Sequence, residues 1–276
     1  MMDYTLNIRG RLVSLREPQV MGIVNVTPDS FFAGSRSQTD ESVAGRVRQI
    51  IAEGGSMIDV GGYSTRPGAD EVSEQEEMRR LRQALAVIRR EQPEAIVSVD
   101  TFRPDVARMA VEEYGADIVN DVSEGSPEMF RMVARLRVPY ILMSVQPSLK
   151  LTLLAFAEKV QQLRDMGQKD IVLDPGFGFG KTLDDNYAIM AQMEKLLVLE
   201  LPLLVGISRK SMIWKLLGIT PDEALCGTTA LHMTALAKGA SILRVHDVKE
   251  AVQCVMLNKA LTHNSYCLPH GSVNPQ

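Results

Sequence analysis

From Val20 onward the chain repeats one unit eight times: a short apolar run, a polar or glycine-rich loop, then a stretch with helical hydrophobic spacing. The strand-forming runs are Val20–Asn25, Met57–Val60, Ile96–Asp100, Ile118–Asn120, Tyr140–Met143, Ile171–Asp174, Leu203–Ile207 and Ile242–Val245. Helical spacing follows at about 41–53, 74–91, 104–114, 127–136, 152–166, 185–199, 222–238 and 247–262, with a shorter helix at Lys210–Leu217. Eight such units in 276 residues argue for an α/β fold with a single (β/α)8 TIM barrel, which typically takes about 250 residues. An open doubly wound sheet is the rival, and it would show fewer strands and a switch point. Ahead of the first unit, Tyr4 to Arg16 alternates polar and apolar residues around Arg9-Gly10, so residues 1–18 are expected to hold a β-hairpin. With no low-complexity segment and no linker, residues 1–276 read as one domain, with residues 264–276 a frayed tail.

Composition excludes more than it assigns. The formal net charge of −4 gives no basic face for nucleic acid. Cys226, Cys254 and Cys267 are odd in number and lack CxxC spacing, so they read as reduced thiols of a cytosolic protein rather than a disulfide or zinc framework. Met1 to Arg16 is polar and alternating, unlike a signal peptide, and no apolar run is long enough to span a bilayer.

The most specific local signal is Ile171-Val172-Leu173-Asp174-Pro175-Gly176-Phe177-Gly178-Phe179-Gly180-Lys181. Asp174 stands where a buried strand ends, and Pro175 removes a backbone donor and stops it. Only three residues separate Gly176 from Gly180, which excludes a Walker A loop, and the strict alternation excludes a dinucleotide fingerprint. A strand-end acid before glycines that let a ligand approach the backbone reads as a binding site rather than a plain turn.

In a barrel, polar residues at the C-terminal strand ends share the active-site mouth. Here these are Asn25, Asp100, Asn120, Asp174, Ser208 with Lys210, and Arg244 with His246. Asp100, Asn120 and Asp174 offer acceptors for the N–H-rich edge of a planar heterocycle, and Lys210 adds a donor. Asn25, Arg244, His246 and Ser64-Thr65-Arg66 offer donors and positive charge for an anion. The bland alternatives are an ion pair of Arg244 with a neighbouring acid and a helix cap by His246. Lys210 opens a helix, where a cation opposes the dipole, so its placement needs another reason. His232 reads as a packed residue. Glu74, Glu76 and Glu77 with Arg79, Arg80 and Arg82 read as a solvated helix face.

These residues carry a resemblance. Met21 to Phe31, Ser64-Thr65-Arg66-Pro67-Gly68, Ser98-Val99-Asp100-Thr101, Asn120-Asp121, Leu173 to Lys181, Gly206 to Ser211 and Arg244-Val245-His246-Asp247 together resemble the dihydropteroate synthase family, in order and over nearly the whole chain. The resemblance implies transfer of a pterin from 6-hydroxymethyl-7,8-dihydropterin pyrophosphate to p-aminobenzoate, in folate synthesis. It implies that Asp100, Asn120, Met143, Asp174, Gly178 and Lys210 hold the pterin. Asn25, Thr65, Arg66, Arg244 and His246 would hold pyrophosphate, with Asn25 on Mg²⁺. Thr65, Pro67, Phe179 and Ser208 would border p-aminobenzoate, and Asp100, Lys210 and Arg66 would carry the chemistry. It also implies a homodimer formed through the later helices. The reaction would pass through a delocalised pterin cation, which needs charge stabilisation and positioning more than a strong base.

The chain departs from the family pattern in three places. Phe32-Ala33-Gly34 follows Phe31 where the family carries Asp-Gly-Gly, Tyr63 stands where Glu is common, and the segment after Met143 is shortened. These differences predict intact binding with slower turnover. The alternatives are a pterin-binding barrel that performs no synthesis and a methyltetrahydrofolate-dependent methyltransferase. The latter would leave Arg244, His246 and the Ser64-Thr65-Arg66 loop without an anion.

Overall fold

A computed structural model describes residues 3–26, 36–63 and 72–262. A two-stranded hairpin, β1 (Thr5–Ile8) and β2 (Arg11–Ser14), precedes a closed parallel barrel. Arg9 and Gly10 both have positive φ, the backbone of a tight two-residue turn between antiparallel strands. The barrel strands are β3 (Gln19–Asn25), β4 (Met57–Gly61), β5 (Ile96–Asp100), β6 (Ile118–Asp121), β7 (Tyr140–Met143), β8 (Ile171–Asp174), β9 (Leu203–Val205) and β10 (Ala240–Val245). β10 closes on β3, so every strand has two neighbours and no edge remains. The helices are α1 (Arg36–Ala52), α2 (Glu74–Glu91), α3 (Pro104–Tyr114), α4 (Pro127–Leu136), α5 (Leu149–Asp165), α6 (Leu183–Ala191), α7 (Ser211–Leu217), α8 (Leu225–Ala237) and α9 (Val248–Thr262).

The sequence signals account for most boundaries. Ser126 and Ser148 accept from the third N–H of α4 and α5, and Thr182 with Asp185 forms a reciprocal capping box at α6. One expectation fails in detail: helical spacing over 185–199 is split into α6 and a 3₁₀ segment, Met193–Leu199. Lys238, at the end of the neighbouring α8, donates to the Ala191 carbonyl at 2.8 Å, capping the last turn where the chain changes pitch.

Two apolar layers divide the core. The larger lies between the outer strand faces and the helices. The smaller lies inside the barrel and joins Met21, Met57, Ile118, Ile141, Val172, Leu204 and Ile242 to Leu6, Ile8 and Leu15 of the N-terminal segment. The hairpin therefore plugs the N-terminal end of the barrel, and the opposite end is left to polar residues.

Candidate active site

Side chains alternate faces along a strand, so the residues two positions beyond that inner apolar layer also face inward. On β4 this step leads from Met57 to Asp59, on β6 from Ile118 to Asn120, on β8 from Val172 to Asp174, and on β10 from Ile242 to Arg244. On β5 the inward series ends at Asp100, and on β3 at Asn25. One register thus builds an apolar floor and, directly above it, a polar mouth.

The centre of that mouth is a cation between two carboxylates. Arg244 donates from Nε to Asp59 Oδ2 at 2.6 Å and from Nη2 to Asp100 Oδ2 at 2.6 Å. Asn120 Nδ2 donates to the same Asp59 oxygen at 3.2 Å. Asp59 Oδ1 and Asn120 Oδ1 are buried without a hydrogen-bond partner among the described residues. Gly61 lies beside Asp100, where a Cβ would come within 3.3 Å of the Asp100 Cβ. Burial, with Asp59 nearby and against the pull of Arg244, raises the Asp100 carboxyl to about 7. Burial disfavours the Arg244 cation, but Asp59 and Asp100 outweigh it and hold the guanidinium charged.

The loop after β8 forms one wall. Asp174 accepts from the Gly176 N–H at 2.8 Å, and burial raises its pKa against the pull of Lys210. Gly176 and Gly178 have φ of 69° and 81°, and a Cβ at Gly176 would sit 2.1 Å from the Ser144 carbonyl, so side chains are excluded there. Lys210 precedes the first residue of α7 without capping it. Its ammonium donates to the Phe177 carbonyl and lies 4.4 Å over the Phe179 ring, which explains a cation at a helix N-terminus. Burial lowers its pKa to about 8 despite Asp174. Met143 is buried at the end of β7 beside Gly176.

The structure gathers Asp100, Asn120, Met143, Asp174, Gly178, Phe179 and Lys210 as the sequence predicts. Arg244 is placed differently. The sequence groups it with the anion donors, separate from the heterocycle site, whereas two of its nitrogens bind the carboxylates Asp59 and Asp100. Ser208 Oγ accepts from the His246 N–H at 3.2 Å, so it orients the β10 end as well as lining the mouth. The His246 carbonyl accepts from Arg46 Nη2 at 2.5 Å. Asn25 ends β3 opposite Gly61 and is half-buried. Thr65, Arg66 and Pro67 lie outside the described residues, as do Ala33, Cys267 and the 264–276 tail.

Two further expectations meet the structure. His232 is packed, and burial drives its pKa down to about 4. Glu77 is no part of a solvated face: it is fully buried and accepts from Thr101 Oγ1 at 2.7 Å and Arg103 Nη1 at 2.6 Å. Glu76 does form the expected i,i+3 and i,i+4 pairs, with the exposed Arg79 and with Arg80, which is part-buried and also donates to the Gly62 carbonyl. The residue that sequence reasoning misses at the site is Asp59. Its only trace in the sequence is an acid inside the apolar run Met57–Gly61, which does not say what partner makes its burial tolerable.

Among the described residues no group of three or more His, Cys, Asp and Glu could hold a metal. The half-buried amide of Asn25 could hold only a Mg²⁺ that takes water and substrate oxygens as its other ligands.

These observations define a barrel enzyme whose mouth pairs carboxylate and amide acceptors with a guanidinium and an ammonium. Comparison with known proteins narrows the class. The family described as pterin binding enzyme matches residues 21–246. Dihydropteroate synthase of Escherichia coli K12 is 39% identical over 268 residues, which cover 91% of this chain and 94% of that protein. The Bacillus subtilis dihydropteroate synthase is 38% identical over 89% of this chain and 90% of its own. The structure of Xanthomonas albilineans dihydropteroate synthase with 4-aminobenzoic acid superposes with a TM-score of 0.89 at 36% identity, covering 95% of this chain and 99% of that one. The chain belongs to the pterin-binding enzyme family, among the dihydropteroate synthases.

Proposed function

We propose that this chain condenses 6-hydroxymethyl-7,8-dihydropterin pyrophosphate with p-aminobenzoate, forming 7,8-dihydropteroate and releasing pyrophosphate. The observation that carries the reading is the set of acceptors on three inward strand ends. Asn120 Oδ1 has no partner among the described residues, and Asp174 keeps one oxygen with none. An aminopyrimidine edge supplies N–H donors to match, and Lys210 supplies a donor for a ring carbonyl or nitrogen. A relative from Xanthomonas albilineans, at 34% identity and a TM-score of 0.86, was solved in complex with 7,8-dihydropteroate.

In this reading the bond between the pterin methylene and the leaving oxygen breaks, and its electron pair departs with pyrophosphate. Positive charge spreads into the ring, where Asp59, Asp100 and Asp174 place three carboxyl groups against two cations. The aniline nitrogen then forms the new C–N bond and loses a proton to water. Arg244 near the end of β10, His246 just after it and Arg66 would bind the leaving group. Thr65, Pro67, Phe179 and Ser208 would border p-aminobenzoate. Mg²⁺ held by Asn25 and the leaving oxygens would neutralise developing charge. Exposed Met256, Leu257 and Leu261 on α9, with Leu216 and Leu217 on α7, support a homodimer through the later helices. The free thiols Cys226 and Cys254 support a cytoplasmic setting. Among the described residues no helix is long and apolar enough to cross a membrane.

The test is pyrophosphate release with and without p-aminobenzoate. Release that requires p-aminobenzoate supports the synthase. Tight pterin binding with no release would make the chain a pterin-binding barrel without synthesis.

A further inference from the structure

One buried-side contact is not used by the chemistry above. Glu124 lies between β6 and α4 with φ 86°, a left-handed backbone that non-glycine residues adopt at a cost. Its Oε1 accepts from the Val145 N–H at 2.9 Å, Gln146 Nε2 at 3.0 Å and Ser144 Oγ at 3.4 Å. Its Oε2 faces Lys159 Nζ of α5 at 3.3 Å. One carboxylate therefore gathers three successive residues of the connection between β7 and α5. That connection runs only from Ser144 to Ser148, too short to brace itself.

The other side of this connection seats the glycine-rich loop. The Ser144 carbonyl accepts from Lys181 Nζ at 2.8 Å, and the same ammonium donates to the Gly176 and Phe179 carbonyls, each at 3.1 Å. The two backbones touch so closely that a Cβ on Gly180 would lie 2.7 Å from the Val145 carbonyl. The segment pinned in this way supplies the Phe177 carbonyl and Phe179 ring that hold Lys210.

We propose that Glu124 is a positioning residue for the pterin site: by clamping Ser144–Gln146 it fixes the seat of Lys181, and through Lys181 it holds the glycine-rich loop that orients Lys210. The proposal rests on the pterin reading given above. It makes Glu124 the brace of the short connection between β7 and α5. Burial would push its carboxyl up, but Gln146, the Val145 N–H and Lys159 together hold it below the usual range, so the clamp is charged at neutral pH.

The experiment uses the full chain with Glu124→Ala, Glu124→Gln, Lys181→Met and the Glu124→Ala/Lys181→Met double variant. Calorimetry measures affinity for 6-hydroxymethylpterin and, with Mg²⁺, for pyrophosphate; hydrogen exchange follows residues 144–148 and 175–181. Glu124→Ala is expected to weaken pterin about tenfold while pyrophosphate stays within about twofold, with faster exchange in both segments. Glu124→Gln should recover most of the affinity, because its amide oxygen still accepts from Val145. The double variant should be no weaker than Lys181→Met, since both side chains act through one connection. Faster exchange confined to 144–148, or equal losses for pterin and pyrophosphate, would overturn the proposal. A wild type that binds no pterin would instead overturn the reading of the site, and exchange at 175–181 would then judge the clamp by itself.

Discussion

The barrel carries an aspartate–arginine cluster at each end, and the two are built on opposite principles. At the closed end, Asp117 is fully enclosed by donors. Arg9 donates to it at 2.7 and 2.9 Å, Arg89 at 3.1 Å and the Val97 N–H at 2.8 Å. Both arginines also donate to the Ala95 carbonyl, at 2.9 and 2.7 Å. At the open end the ratio reverses: one arginine serves two carboxylates, and the orphaned oxygens of Asp59 and Asn120 stay buried. Two cations on one anion close a structure. Two anions on one cation leave negative potential and unmet acceptors, which suit a ligand that brings N–H groups and develops positive charge. The difference separates what holds the barrel from what the barrel holds.

The largest effect should come from breaking the open cluster at its cation. Arg244→Ala leaves Asp59, which has 0% exposure, without a charged partner, at a cost of about 3–5 kcal/mol in folding stability. Urea denaturation measures it. Loss of stability should accompany loss of pterin and pyrophosphate binding together, because Arg244 joins the two halves of the site. A variant that folded normally and lost only pyrophosphate would break the comparison.

Next in size is the binding surface itself. Asp174→Ala should weaken a 6-substituted pterin by about 2–5 kcal/mol, since the ring edge loses its carboxylate acceptor. The melting temperature should move less than in Arg244→Ala, because relief of a desolvated carboxylate offsets the lost hydrogen bond from the Gly176 N–H and the lost attraction to Lys210. Calorimetry and a thermal scan on the same preparation decide it; unchanged pterin affinity would remove Asp174 from the site.

How much of this the sequence discloses depends on the range of the interaction. The repeated strand–loop–helix pattern, the Arg9-Gly10 turn and the stop at Asp174-Pro175 are local, and the structure places them as read. So are the strand-end acids, because barrel topology alone sends them to one mouth. Asp59 and Glu77 are not legible in the same way. Their partners, Arg244 and Arg103, stand 185 and 26 residues away, so an acid in a strand and an acid on a charged helix look ordinary until the chain closes. Glu124 and Lys181 are hidden for a further reason: both act on backbone carbonyls and N–H groups, which carry no residue-type signal.

The closed cluster should be more forgiving. Arg9→Ala leaves Asp117 with Arg89 and the Val97 N–H, so the expected cost is about 1–2 kcal/mol, with pterin affinity unchanged. A loss as large as that of Arg244→Ala would mean that the hairpin, and not the count of donors, governs stability at that end.

The last effect is a pH dependence that belongs to the open end. Folding raises the Asp100 carboxyl from 3.8 to about 7, through burial first, with Asp59 adding to it and Arg244 opposing it. Between those values the folded state keeps a proton that the unfolded chain has released. The stability tied to Asp100 is therefore complete below about pH 4, falls as pH rises, and is lost above about pH 7. Asp100→Asn removes this window and keeps an oxygen for Arg244. The variant's melting temperature should gain on the wild type from pH 4 to pH 7 by at least about 2–4 °C, and then run parallel. Activity should move the other way, because only the ionised Asp100 can face a pterin cation: wild-type kcat/KM should fall below about pH 7, and the variant should have little activity at any pH. Parallel melting curves over that whole range would show that Asp100 is no more strained than an ordinary surface carboxylate, and the contrast between the two ends would rest on geometry alone.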